Sequence, residues 1–312
     1  LWLVPPVDGG QVVGVHFSKA HAEWLGLDWR ATYSALLDDA GAKHLRLGAY
    51  WNDIAASEAR HYNFDDLDWM LAGAQYRRAS VILAVGRRLP GWPECHVPNW
   101  ARAGTEQAQR EEILAYERAV VERYRTNPAV VMWQVENEPL LSFFGECPPP
   151  DRAFLEREVA LVRALDPHHP VLITDSGELS MWMRASGIGD RLGTTMYRVV
   201  WNRLFGYWSY DRLLPPAFYR LKAWLAGVPR SHMIIAELQA EPWIPGGKLL
   251  ETSLAEQRKS MDADRLRRNV AFARATGFPE AYLWGSEYWY WLKTKQNDAS
   301  MWDAAKEALR GK

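Results

Sequence analysis

Cysteine is almost absent from the sequence: Cys95 and Cys147 are the only two among 312 residues. Two cysteines are too few for a disulfide scaffold and lack the spacing of a structural metal site. An excess of one charge is also missing, since 37 basic residues balance 38 acidic ones to a net charge of −1. No global field is therefore available to draw in nucleic acid or an anionic membrane. The densest basic run, Arg265-Leu266-Arg267-Arg268, falls in a helical pattern and reads as a solvated helix face. No apolar run approaches the length of about 18 residues that a membrane span needs. No Gly-rich phosphate turn, internal repeat, low-complexity tract or Ser/Gly linker interrupts the chain. The chain opens on Leu1 and not on Met. It is read as a trimmed or mature form, with Leu1-Trp2-Leu3-Val4 as the stub of a removed segment and an extracytoplasmic or secreted location expected.

What is present is an ordinary globular balance, 48% hydrophobic and 24% charged, which excludes the disordered and fibrous classes. Apolar runs of strand length occur at residues 12–17, 44–49, 80–86, 130–136, 170–174, 192–197, 232–237 and 280–286. Amphipathic stretches of helix length lie between them, at 29–40, 67–78, 106–125, 151–165, 217–226 and 260–276. Several open on Asp or Ser and close on Gly. Near-continuous hydrophobic strands alternating with helices imply a parallel sheet covered on both sides. Eight such units average about 39 residues each, which suits an α/β fold of the (β/α)8 TIM-barrel type. The expectation is one domain over residues 1–312, with extended loops at the C-terminal face. A doubly wound open sheet is the alternative, without the phosphate turn of its nucleotide-binding versions. Cys95 and Cys147 follow the third and fourth strands, so neighbouring barrel loops would bring them within reach of a disulfide, or leave them as two thiols.

Two of the expected strands end on acids. Residues 131–139 read Val-Met-Trp-Gln-Val-Glu-Asn-Glu-Pro, ending on Asn137-Glu138 before Pro139, and Met233-Ile234-Ile235-Ala236 leads into Glu237. On the count above these are strands four and seven, and in a closed barrel both acids would face the C-terminal mouth. Two carboxyl groups at one opening can divide the labour of glycosidic cleavage, one donating a proton and the other attacking or stabilising the sugar cation. Glu136 shares strand parity with Glu138 and could face the same mouth; the preceding Asn137 selects Glu138 as the acid. The chain is also rich in tryptophan, with 17, and Trp92, Trp100, Trp182, Trp201, Trp208, Trp243, Trp284, Trp289 and Trp291 follow apolar runs. Indole faces suit the C–H faces of pyranose rings as well as they suit cores.

With Trp133-Gln134-Val135-Glu136-Asn137-Glu138, the chain resembles the strand-four motif of the β-galactosidases of glycoside hydrolase clan A. Asn137-Glu138-Pro139 is also similar to the cellulase and mannanase family five of that clan. The stretches 45–51 and 62–68 look like its strand-two region and following helix. The resemblance implies a retaining β-glycosidase in which Glu138 is the general acid/base and Glu237 the nucleophile. It further implies that Asn137 donates to the sugar 2-hydroxyl and that Arg46 sits beside the nucleophile and lowers its pKa. Tyr197 would hydrogen-bond the nucleophile and Trp284 would floor the reacting sugar. At strand six the His-x-Tyr of family five is replaced by Thr195-Met196-Tyr197, which points to the clan and to no single family. His16, His96 and the aromatic loop from Trp201 to Tyr210 would line the mouth. Arg87 and Arg88 would bind either an anionic sugar substituent or loop carboxylates. No cofactor and no metal are expected, because no His/Asp/Glu group has ligand spacing, and the expected partner is a β-linked oligosaccharide or glycoside. A transglycosylase on the same site, a non-catalytic carbohydrate-binding barrel and a metal-dependent barrel enzyme are the competing readings.

Overall fold

Runs of valine, leucine and isoleucine without polar alternation become strands buried on both faces. The barrel strands are β1 (Val12–Phe17), β2 (His44–Gly48), β3 (Ser80–Val85), β4 (Val130–Val135), β5 (Val171–Asp175), β6 (Arg191–Met196), β9 (Met233–Gln239) and β10 (Glu280–Trp284). In this computed structural model, which describes residues 10–311, they close in the order β1-β10-β9-β6-β5-β4-β3-β2. The Leu1–Val4 segment read as a stub lies outside the described residues. Pairing is parallel between β1 and β10, β10 and β9, β3 and β4, and β4 and β5. With helices between the strands, this is the expected (β/α)8 barrel, and each expected strand is present with ends shifted by a residue or two.

Local chemistry explains most of the boundaries. Asp28, Thr105, Asp151 and Asp262 each turn a side-chain oxygen back onto the first free N–H groups of the helix that follows. The helix expected over 260–276 therefore starts at Ala263, and it stops where Gly277 adopts the left-handed conformation. The expected pattern omits several elements. The aromatic stretch after β6 is not a loop but an antiparallel hairpin, β7 (Val199–Asn202) with β8 (Gly206–Ser209). Helices Ser286–Lys295 and Ser300–Leu309 end the chain, the first so rich in Trp and Tyr that no apolar stripe stands out.

Contacts divide the residues into two compact units, one of residues up to 45, 176–183 and 194 onward, the other of 46–175 and 184–193. In the first, Asp39 accepts from Lys293 Nζ and Lys306 Nζ at 2.6 Å each and from Trp302 Nε1 at 2.8 Å, anchoring the C-terminal helices to the turn before β2. In the second, Trp133 is fully buried and its indole N–H is satisfied by Asp166 at 2.9 Å. Among the described residues no helix is long and apolar enough to cross a membrane.

Cys95 and Cys147 are joined in a disulfide across 52 residues of chain. The bridge ties the loop after β3 to the loop after β4, where Trp92 and Phe144 meet edge to face at 6.3 Å. A cross-link of this span removes loop entropy from the unfolded chain, so Cys95→Ser/Cys147→Ser should lose about 2–4 kcal/mol of stability. Thermal unfolding of parent and variant, each with and without reductant, checks this: reductant should lower the parent's midpoint and leave the variant's unchanged.

Candidate active site

The site-bearing residues of the second unit are organised by one amide. Arg46, buried in the middle of β2, donates from Nε to Gln134 Oε1 and from Nη2 to Asn137 Oδ1, both at 2.8 Å. The Thr174 hydroxyl donates to the same Asn137 oxygen at 3.1 Å and accepts the Glu138 backbone N–H at 2.9 Å. Asn137 Nδ2 donates to Glu94 Oε2 at 3.3 Å, leaving the second amide hydrogen for a ligand. Arg46, Asn137 and Glu138 are thus held in one hydrogen-bonded group. Gln134, Thr174 and Glu94, which hold them, were missed by sequence reasoning. Gln134 and Thr174 were detectable as polar residues inside strands that are otherwise apolar; Glu94, in the loop after β3, carries no such signal.

Strand parity does not govern Glu136. β4 ends at Val135, and Glu136 and Glu138 have φ of +58° and +44°, a left-handed backbone that residues with side chains adopt at a cost. Alternation along a strand no longer sets their directions. Glu136 accepts the Arg87 and Arg88 backbone N–H groups at 2.8 and 2.6 Å. Gly86 makes room for it, since a Cβ there would stand 2.7 Å from Glu136 Oε1. Glu117 and Glu158 bring their carboxyl groups within 4.8 Å of Glu136. The three acids come from distant parts of the chain, so spacing along the sequence could not reveal the cluster. Burial, followed by the Glu136 charge, pushes both Glu117 and Glu158 well above the usual carboxylate range.

Arg87 pairs with Glu106 and Gln109, and Arg88 donates to the Leu141 and Phe144 carbonyls. Arg87 is therefore tied to the helix that begins at Glu106, and Arg88 to the loop after β4. His96 contacts the Leu89 and Gly91 carbonyls.

In the first unit Glu237 lies inside β9, two residues before its end, and its Oε2 accepts the Tyr197 hydroxyl at 2.9 Å. The Tyr197 ring is fixed edge-on to Trp243 at 5.2 Å. Its backbone N–H binds Glu178, which burial lifts to about 7 against the pull of Tyr219 and Arg198. Trp284 is the last residue of β10 and half-exposed; its ring stacks on buried His16 at 4.6 Å, and its N–H donates to Glu241 at 2.7 Å. The structure thus brings together Tyr197 with Glu237 and His16 with Trp284. Trp201 is on the hairpin, opposite Tyr207. Of the other tryptophans that follow strands, Trp182 and Trp289 are wholly buried packing residues, whereas Trp92 and Trp208 are exposed.

The profile described as Cellulase (glycosyl hydrolase family 5) matches residues 8–211, more than half of the chain. The chain belongs to glycosyl hydrolase family 5. The clan-level placement is thereby narrowed, and the missing family-five histidine at strand six does not exclude membership. In this family 5 chain Thr195 stands at that position, where its hydroxyl accepts the Gly177 N–H at 3.0 Å and reaches Glu178 at 3.4 Å.

Probable mannan endo-1,4-beta-mannosidase F of Aspergillus flavus and its namesake in Aspergillus oryzae are each 29% identical over 120 residues, 36% of this chain. The match spans a quarter of the length of these curated relatives. Among solved structures, GH5_18 from Streptomyces cattleya in complex with GlcNAc aligns at a TM-score of 0.68 and 14% identity, covering 98% of this chain and 80% of that one. Native xylanase 10B from Thermotoga maritima aligns at 0.63 and 15%, covering 96% and 95%. The family 5 mannosidase of Rhizomucor miehei aligns at 0.60 and 13%, covering 89% and 82%. At these identities the likeness is one of fold.

The buried glutamates yield a prediction. A carboxyl whose pKa is raised on folding contributes its stability below the unfolded value, about 4.3, and loses it as the pH rises through the folded value. Glu117→Gln keeps the shape without the proton. Its melting temperature should therefore fall less than the parent's as the pH rises above the unfolded value, which calorimetry across a pH series would show.

Proposed function

We propose that this chain is a single catalytic (β/α)8 domain that hydrolyses β-linked glycosides with retention, using Glu237 as nucleophile and Glu138 as general acid/base. The observation that carries the reading is the Tyr197 hydrogen bond to Glu237 Oε2. A phenol donating to one oxygen orients the carboxyl group for attack on the sugar. Glu138 follows an asparagine whose carbonyl is occupied by Arg46 and Thr174, so its amide end is turned to donate. In the first step Glu237 attacks the anomeric carbon while Glu138 gives its proton to the departing oxygen, forming a glycosyl ester. In the second, Glu138 takes a proton from water, which attacks the same carbon and frees Glu237.

The remaining candidates bind. Asn137 donates to the sugar 2-hydroxyl, and Arg46 holds Asn137 in place. Trp284, backed by His16, floors the sugar, and Trp201 on the hairpin walls a neighbouring subsite. A β-linked oligosaccharide is the substrate class; the mannosidases among the relatives put β-mannosides beside β-glucosides and β-galactosides in the panel to be screened. The disulfide suits an oxidising, extracytoplasmic setting.

Stereochemistry, labelling and kinetics test the roles. The first-formed product, followed by proton NMR, should be the β-anomer, and Glu237→Gln should form no covalent adduct with a fluoroglycoside in intact-protein mass spectrometry; near-normal turnover of an aryl glycoside by that variant would refute the assignment. For Glu138→Gln, kcat/KM should fall about 10²–10⁴-fold on glycosides with poor leaving groups. The loss should be much smaller for adduct formation from a dinitrophenyl glycoside, whose leaving group needs no proton. Equal losses on both would remove Glu138 as the acid.

A further inference from the structure

Glu241 lies two residues beyond the end of β9, in a segment pinned at several points. The Ala240 backbone N–H donates to the Trp284 carbonyl at 3.0 Å, and the Ala240 carbonyl accepts Trp289 Nε1 at 2.6 Å. Asn269 Nδ2 holds the preceding Gln239 carbonyl at 2.8 Å. Gly285 has φ +103°, and a Cβ on it would come within 2.3 Å of Glu241 Cβ. Only glycine permits this approach, and it brings Glu241 to the edge of the Trp284 indole.

The two Glu241 oxygens have different partners. Trp284 Nε1–H donates to Oε1 at 2.7 Å, and His21 Nε2 lies 3.0 Å from Oε2. His21 is stacked on Trp24 at 5.6 Å, with the ring planes 20° apart. Burial works against charge on this ring, but the charge and hydrogen bond of Glu241, with the charge of Glu287, outweigh it and raise His21 to about 9. His21 is therefore charged at neutral pH beside the Glu241 carboxyl group, and the Glu241 and His21 side chains stay 17% and 25% exposed. A part-open ion pair is a weak device for stability. Its orientation is informative instead. A carboxylate oxygen has two lone-pair sites, so each Glu241 oxygen keeps one acceptor position after binding its protein donor. A pyranose stacked on an indole turns its axial C–H bonds to the ring face and its equatorial hydroxyls outward past the ring edge, where Glu241 stands.

We infer that Glu241, aligned by His21 and Trp284, is a specificity-determining residue whose two carboxylate oxygens accept a vicinal pair of hydroxyls on the sugar lying against Trp284. The inference rests on the reading of Trp284 as the floor of a sugar subsite. It assigns the site to neutral sugars with that diol free. A sugar carrying an anionic group there would meet a like charge.

The test is a binding cycle that needs no turnover. Aryl β-mannoside, β-glucoside and β-galactoside, followed by the 2-, 3- and 4-deoxy analogues of the best binder, are titrated calorimetrically into Glu237→Gln and into Glu237→Gln/Glu241→Gln. A polar site built around a hydroxyl rejects the analogue lacking it strongly. The two deoxy sugars that each lack one hydroxyl of the pair should therefore bind Glu237→Gln at least about 100-fold more weakly than their parent, and Glu241→Gln should cost a similar factor on the parent sugar and much less on those two analogues. If the two losses multiply for every analogue, or if Glu241→Gln leaves the parent sugar's affinity unchanged, the inference is overturned. It is overturned equally if no sugar binds Glu237→Gln while that protein melts like the parent. Turnover by Glu237→Gln, in contrast, would sink the proposed nucleophile and leave the binding cycle readable. Glu241→Asp is the second variant: it should recover part of the lost affinity, and it keeps the test open if Glu241→Gln unfolds.

Discussion

The side-chain oxygen of Asn137 accepts from a guanidinium of β2 and a hydroxyl of β5, and the arrangement of β4's end depends on it. Beyond Val135 the chain leaves the strand and passes through two left-handed residues on either side of Asn137. Such a backbone costs of order 1–3 kcal/mol per residue and persists only where the surroundings over-determine it. Here Arg46 and Thr174 clamp the asparagine, the Arg88 carbonyl accepts its backbone N–H, and two backbone N–H groups hold Glu136. Glu138 is delivered by a bend stabilised from β2, β5 and the loop after β3. A regular strand would have presented Glu136 and Glu138 on one face; this bend separates them into a structural carboxylate and a candidate catalytic one.

The fold treats its acids in sharply different ways, and environment decides which. Glu136 is satisfied by main-chain donors, while Glu117 and Glu158, buried beside it, are pushed toward the protonated form. Glu178 and Glu287 are each lifted to about 7 by burial. Glu237 instead receives a phenolic donor, and Glu241 one indole and one imidazole. Glu241 has its donors on one side and keeps partial exposure on the other. This is the pattern expected of a group that meets a ligand rather than a neighbour.

Eight apolar runs, their helix caps and the acids at Glu138 and Glu237 were legible because burial on both faces and the N-terminal N–H groups of helices impose local patterns. The hairpin at Val199–Ser209 was not, because Trp201, Tyr207 and Trp208 fit a loop, a lid or a strand equally well until Trp201 pairs with Tyr207. Thr195 was legible as a departure from His-x-Tyr but not as a residue that binds Gly177 and Glu178. Cys95 and Cys147 were legible as a possible pair; their bond required two loops to meet.

By itself, then, the sequence determined the barrel and the order of its strands along the chain, and it pointed to the two acids proposed for catalysis. Each of these is written in a periodicity or a short motif, which neighbouring residues enforce. Only the tertiary structure decided where Glu136 points, which two glutamates gather around it, and that Glu241 and His21 meet at the edge of Trp284. Those contacts join residues up to 220 positions apart, and no local pattern in a chain encodes which distant side chain will supply the missing hydrogen bond.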